Sequence, residues 1–267
     1  MKISALASSL PAELPRAIEQ LAELGFNWID VPPAAAEGDA RQKIHEHQLD
    51  ITCVGLERGQ PAGLDLASSD VSIRTCSIAY FCRAIELARD LGAPAGYVTP
   101  PAATDDESRC RWTNSLLRIA EHACRCAVRV CIEHFPRRLL PSAADTLRFL
   151  DEAGHDNLAL LIDVGHCLIS GESPAAVVAA AGTRLGYIHF DDNDGQSDLH
   201  WPLLTGRLTE QQIRDTIDAL RTIGYDGGVC LELQAKLDDP AGNLRRGKII
   251  LERFIEPCKS STSKLSS

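Results

Sequence analysis

The order of apolar runs along the chain predicts an α/β fold, a single closed (β/α)8 TIM barrel. Three observations carry that prediction. Eight short runs rich in β-branched and aromatic residues alternate with segments whose apolar residues recur at helical spacing, the pattern of parallel strands joined by crossover helices. Eight such units fit within 267 residues, a length at which α/β barrels commonly form one domain. Each of the last four runs also stops on a carboxylate or an imidazole, so these polar groups fall at one end of four successive strands. In such barrels that C-terminal end carries the active site. Residues 1–258 are assigned to the barrel and 259–267 to a disordered polar tail, KSSTSKLSS. The Ser263-Lys264-Leu265 in that tail is followed by two serines, so it is not a terminal peroxisomal address.

Residues 3–8 form the first expected strand. A helix over 14–24 follows, with Ala17, Leu21 and Leu24 on one face and Gly25 closing it. The second strand, 26–31, is stopped by Pro32-Pro33, and a helix is expected over 36–48. The third strand is 51–56. After a loop, Asp70 is placed to cap a helix reaching Leu91, with Tyr80, Ala84, Leu87 and Leu91 on one face. The fourth strand, 96–99, ends at Pro100-Pro101. Asp105 opens the next helix, which carries Leu116, Leu117 and Ile119. The last four strands are AVRVCIEHF (127–135), LALLIDVGH (158–166), LGYIHFDD (185–192) and GVCLELQ (228–234). Helices near Ser142, Ser173 and Thr209 separate them; the last of these groups Ile213, Ile217 and Leu220. A final helix over 242–256 carries Ile249, Ile250 and Phe254.

Hydrophobic residues make up 45% of the chain, enough for a large core, and the net charge of −10 argues against a phosphate-backbone binder. No apolar run approaches the ~18 residues of a membrane span, and the start MKISALASSLPAELP reads as a strand and turn rather than a signal peptide. Ten cysteines lie mostly in strand-like or helix-like runs with no C-x-x-C, as expected of free thiols in a reduced, cytoplasmic setting. No G-x-G-x-x-G or Walker loop follows any strand, which weakens a nucleotide-binding reading.

The residues that remain to be explained are Glu133, Asp163, His189 and Glu232. A lone carboxylate after a strand is often a helix cap, and a lone histidine a loop residue. Four such groups on strands five to eight are harder to assign separately. Glu133 and Glu232 follow the apolar runs VCI and VCL, where a buried charge is costly without a partner. Oxygen and imidazole ligands converging from strand ends build a divalent metal site. His166 lies three residues after Asp163, close enough for both to reach one cavity.

The pieces Ile132-Glu133-His134, Asp163-Val164-Gly165-His166, His189-Phe190-Asp191-Asp192-Asn193 and Leu231-Glu232 together resemble the xylose-isomerase-like superfamily of sugar isomerases and epimerases. Asp198-Leu199-His200, Pro202-Leu203 and Gly206-Arg207 add to the resemblance, which covers roughly residues 127–235. It implies that Glu133, Asp163, His189 and Glu232 hold one divalent metal ion: Mn²⁺, Mg²⁺, Co²⁺ or Zn²⁺. It implies that Glu133 and Glu232 act as catalytic carboxylates on opposite sides of a sugar, while His166 and Arg207 bind the substrate. The expected reaction is proton abstraction next to a carbonyl through a metal-stabilised enediolate, giving isomerisation or epimerisation. The expected partner is a small-molecule sugar or cyclitol, with no nucleic acid and no membrane; a homo-oligomer is a family expectation.

The match departs in places. Relatives with two or three metals draw histidines from earlier strands, whereas here the third strand ends Val54-Gly55-Leu56-Glu57 and the fourth Val98-Thr99-Pro100. Asp198 and His200 therefore read as a second, weak metal site or as a loop brace. Leu204-Thr205 replaces a small glycine and an acid that usually precede Gly206. His134, by strand alternation, points away from Glu133 and reads as structural. Phe135 and Trp201 are candidates for an apolar wall; Tyr187, Cys131 and Cys230 read as core. A dehydratase acting on an inosose or dehydroshikimate shares the opening proton abstraction and is the runner-up. A phosphoesterase would need a second metal, and a non-catalytic sugar-binding barrel would not need two carboxylate bases.

Overall fold

The computed structural model describes residues 1–255; the expected tail, 259–267, lies outside the described residues. Eight parallel strands close into a barrel in sequence order, the eighth pairing with the first. The elements run β1 (Lys2–Leu6), α1 (Leu14–Glu23), β2 (Trp28–Val31), α2 (Gly38–Glu46), β3 (Asp50–Gly55), α3 (Val71–Asp90), β4 (Ala95–Val98) and α4 (Asp106–Arg125). They continue β5 (Arg129–Glu133), α5 (Ala143–Ala153), β6 (Leu158–Asp163), α6 (Val164–Ser170), α7 (Pro174–Ala181), β7 (Leu185–Phe190), α8 (Glu210–Thr222), β8 (Gly228–Leu231) and α9 (Pro240–Ile255). The (β/α)8 expectation holds. Among the described residues no single helix is long and apolar enough to cross a membrane.

Local chemistry sets the helix starts. Asp70 accepts from Ser72 N–H at 2.7 Å, Asp105 from Ser108 N–H at 2.8 Å, and Ser142 from Asp145 N–H at 3.1 Å. Ser173 caps α7, and Thr209 and Gln212 form a reciprocal capping box on α8. Each such cap contributes about 1 kcal/mol. The strands run shorter than the apolar pattern. β5 stops at Glu133, β6 at Asp163 and β8 one residue before Glu232, so the polar groups themselves mark where the sheet ends.

Two apolar layers fill the fold. Most of the core lies between the sheet and the helices. A smaller cluster packs inside the barrel: Leu6, Cys53, Ala95, Tyr97, Cys131, Ala159, Leu161, Tyr187 and Cys230. Cys131, Leu161, Tyr187 and Cys230 precede Glu133, Asp163, His189 and Glu232 by two residues each. Because side chains alternate across a strand, the inward row that begins as core ends as the site. Two helix faces differ from expectation. On α3 the buried stripe is Ile78, Phe81, Ala84, Ile85 and Ala88, so of the expected face Ala84 is buried while Tyr80, Leu87 and Leu91 are half-buried. On α9 it is Leu244, Gly247, Leu251 and Phe254, and Ile249 is 52% exposed. In both, a neighbouring apolar row competed for the same period, and the surface the helix docks against decided.

Candidate active site

Glu133, Asp163, His189 and Glu232 meet at the C-terminal mouth of the barrel. All four are buried, and one ligand atom from each falls within 4.8 Å of every other. Strand register supplies part of this, since Asp163 pairs directly with His189. His189 Nδ1 lies 2.6 Å from Glu232 Oε2 and 3.4 Å from Glu133 Oε1. Neither contact has hydrogen-bond geometry, so Nδ1 is left without a partner, as is Asp163 Oδ2. Three carboxylates and an imidazole aimed at one buried point, with acceptor atoms unsatisfied, fit a divalent cation held by oxygen and nitrogen.

The electrostatics follow from that crowding. Burial pushes the Asp163 carboxyl up to about 7, with the charge of Asp191 acting in the same direction. Glu232 goes the other way. Burial alone would raise it, but His189, His200 and Arg58 hold it below the usual carboxylate range. His189 is raised in turn by Glu232 and Glu133, against the effect of its own burial.

His166 sits in the first turn of α6. Asp163 caps that helix through Oδ1, accepting from His166 N–H at 2.7 Å, so the strand passes into the helix without a loop. The His166 ring Nδ1 is 2.8 Å from the carbonyl of His134, which directs Nε2 into the cavity and within 3.4 Å of Asp198 Oδ1. Burial would depress His166, but Asp163, Asp198 and Glu133 bring it up to about 10. His134 is fully buried on the outer side, with Nε2 3.2 Å from Asp163 O. Burial and the neighbouring His166 push it down to about 3, so it stays neutral and ties β5 to β6, as its strand parity predicts.

Asp198 and His200 belong to a connected chain rather than standing apart. His200 Nε2 is 3.0 Å from Asp198 Oδ1, and His200 Nδ1 is 2.8 Å from Asp191 Oδ2. Asp191, which the sequence reading did not single out, also accepts from Gly165 N–H at 2.9 Å and is fully buried. Asp163 and Asp191, both buried, form a second close group with the half-buried His200. Asp192 pins the following loop by accepting from Gly206 N–H at 2.7 Å and Leu208 N–H at 2.8 Å.

Arg207 is not brought to the site. It is exposed, and its stem rests against Gly195. The guanidinium at the mouth belongs to Arg58, from the loop after β3. Its Nε donates to Tyr97 Oη at 2.9 Å, Nη1 donates to Ser8 Oγ at 3.0 Å, and Nη2 pairs with Glu232 Oε1. Next to it Glu57 accepts from Thr99 N–H at 3.1 Å and Thr99 Oγ1 at 2.7 Å, joining the ends of β3 and β4. The signal at those two strand ends is the adjacent charged pair Glu57-Arg58 and not a histidine. Phe135 lines the cavity, 4.5 Å from the His166 ring centre; Trp201 does not line it and instead pairs with Asp192. The cavity measures about 180 Å³ and is bounded by Arg58, Tyr97, Glu133, Phe135, His166 and Glu232, among others. A larger hollow of about 440 Å³ lies near Lys2 and Gly228, at the opposite end of the strands, and holds none of the four converging groups.

Known proteins resemble the chain over most of its length. Over 240 residues the chain is 28% identical to the L-ribulose 3-epimerase of Mesorhizobium japonicum, covering 85% of this chain and 77% of that protein. An inosose dehydratase of Lacticaseibacillus casei is 26% identical over 155 residues, covering 53% of this chain and 51% of that one. The crystal structure of the D-psicose 3-epimerase from Clostridium cellulolyticum H10 with D-tagatose superposes with a TM-score of 0.79 at 19% identity, over 96% of this chain and 100% of that one. The family model for the xylose isomerase-like TIM barrel matches residues 18–253, and the chain belongs to that family.

Proposed function

We propose that the protein is a divalent-metal-dependent ketose epimerase or isomerase. The observation that carries this reading is the convergence of Glu133, Asp163, His189 and Glu232 on one buried point, with Glu133 and Glu232 also lining the small cavity beside it. Glu133, Asp163, His189 and Glu232 would hold the cation. When bound, it supplies positive charge against the negative charge that develops on the substrate oxygens as the proton leaves.

The chain's own groups do the remaining work. One of Glu133 and Glu232 removes the proton next to the carbonyl, and the other returns one from the opposite face, which inverts the carbon. A single carboxylate serving both steps gives aldose–ketose isomerisation. His166 presents Nε2 to a substrate oxygen, its ring fixed by the His134 carbonyl. His189 first, then His200 and Arg58, hold Glu232 low, toward the ionised form a base needs; Arg58 also takes the place at the cavity that Arg207 was expected to fill. Phe135 gives the sugar an apolar face. The cavity of about 180 Å³ shares Glu57 and Thr99 with a neighbouring hollow of about 390 Å³.

A dehydratase of an inosose-type substrate is the second reading, supported by the inosose dehydratase relative. It shares the first proton abstraction and differs in losing a hydroxyl. The test is a panel of ketoses and inososes in D₂O with Mn²⁺. Deuterium incorporation at carbon with no loss of mass marks the epimerase or isomerase; loss of water and a new ultraviolet-absorbing enone mark the dehydratase. Glu133→Gln and Glu232→Gln are each expected to fold and to lose at least about 10²-fold in turnover. Wild-type exchange in both variants would sink the assignment.

A further inference from the structure

We infer that Asp30 is the positioning residue of His189: from inside the barrel it holds the imidazole so that Nδ1 faces the metal, and thereby sets the affinity of the site. The inference rests on the metal site proposed above.

Asp30 projects from β2 where the β2–β3 register shifts between Ile29 and Asp30. It is fully buried. One carboxylate oxygen, Oδ1, accepts from Thr52 Oγ1 and from Tyr187 Oη, each at 2.6 Å. The other, Oδ2, has no hydrogen-bond partner. It lies 3.9 Å from His189 Nε2, which is likewise buried and without a partner. Two unsatisfied polar atoms, one an acceptor and one able to donate, thus face each other inside the barrel. Bringing them to hydrogen-bond length needs a movement of about 1 Å. The Cys230 thiol is near both, but a thiol is a weak donor and leaves the carboxylate short of a strong one.

The ring has little choice of direction. Tyr97 and Tyr187 stand edge-on to it, with centroids 5.1 and 5.7 Å away and interplanar angles of 86° and 87°. Held between them, His189 points Nδ1 at Glu133 and Glu232 and Nε2 at Asp30. A proton on Nε2, accepted by Asp30, leaves the lone pair on Nδ1, the tautomer a metal requires. A carboxylate behind a ligating histidine fixes its orientation and raises its basicity, and losing such a partner typically costs 10–100-fold in metal affinity. The same contact explains why a carboxylate occupies the barrel interior, where it would otherwise be costly.

The test measures Mn²⁺ binding by calorimetry for wild type, Asp30→Asn, and the controls Thr52→Val and Tyr187→Phe. The controls each remove a donor from Oδ1 and leave Oδ2 alone. Asp30→Asn is expected to weaken Kd by about 10–100-fold, while the controls lower Tm and hold Kd within about threefold. If Asp30→Asn also keeps Kd within threefold, Asp30 is only a member of the hydroxyl network and the inference fails. Wild type reports independently should the variant not fold. In the Zn²⁺-loaded protein, nitrogen-correlated proton NMR is expected to show a slowly exchanging proton on His189 Nε2. A metal on Nε2, or a rapidly exchanging Nε2 proton, overturns the inference with the metal site intact. Wild type that binds neither Mn²⁺ nor Zn²⁺ removes the metal site itself.

Discussion

Asp163 does two jobs that pull in opposite directions: it caps α6 through Oδ1 and offers Oδ2 to the site. Its carboxyl, pushed up to about 7 by burial and Asp191, gives the metal-free protein a pH signature. A folded-state pKa raised above the unfolded one adds stability below about pH 4, and that stability is lost as pH rises through about 7. Asn keeps a capping oxygen but no charge. Metal-free Asp163→Asn is therefore expected to gain on wild type between pH 4 and pH 8, by on the order of 1–3 kcal/mol. Urea unfolding with chelator at the two pH values measures it. A gap that stays constant would mean that burial does not hinder this ionisation; with Mn²⁺ added, the order should reverse. Arg58 supplies a second case. Among the groups that keep Glu232 low it acts beside His189 and His200. Arg58→Gln should let Glu232 rise, moving the acid limb of the kcat/KM profile to higher pH, with roughly tenfold lost below the limb for each unit moved. An unmoved limb would leave Arg58 a substrate contact only.

The passage from β6 into α6 shows how much of an element the sequence discloses. The run LALLIDVGH is buried at every position and reads as one strand reaching His166. The chain instead turns helical at Val164, because the Asp163 side chain satisfies the His166 N–H and ends the ladder there. Gly165 permits the close approach of Asp191: its N–H donates to Asp191, and a Cβ built on it would run into the Asp191 carboxylate. Gly165→Ala should therefore displace Asp191, release His200 and cost about 1–3 kcal/mol. Thermal unfolding checks the cost, and the chemical shifts of His200 check the path; an unshifted His200 would show that the helix moves instead. Helix starts were readable because caps are local: Asp70, Asp105, Ser142, Ser173 and Thr209 each bond a backbone N–H within three residues. The buried faces of α3 and α9 were not, because each depends on a partner far away in the chain.

At the scale of the whole barrel, parity joins fold and site. The inward row on β5 to β8 is Cys131, Leu161, Tyr187 and Cys230 below, then Glu133, Asp163, His189 and Glu232 above. Strand alternation and the strand-end rule made the second set readable from sequence. Asp30 and Arg58 escaped because each faces a residue distant in sequence, His189 and Glu232 respectively; Asp191 escaped because only the loop that doubles back through the Asp192–Trp201 bridge brings His200 onto it. Strand pairing also makes the site a property of the folded molecule. The four groups come from strands that pair in series, β5 to β8, and span residues 133 to 232 of the chain, so an unfolded chain holds no such site, and any cation bound to the folded state adds to global stability. At 100 times Kd a divalent ion adds about 2.7 kcal/mol, which for a domain of this size raises Tm by about 5–10 °C. Glu133→Gln and His189→Asn should lose most of that rise, whereas Arg207→Gln, on the exposed loop, should keep it. Scanning calorimetry with Mn²⁺ and with chelator measures all four proteins. A rise shared equally by every variant would place the ion on the surface and not among the four groups at the mouth of the barrel.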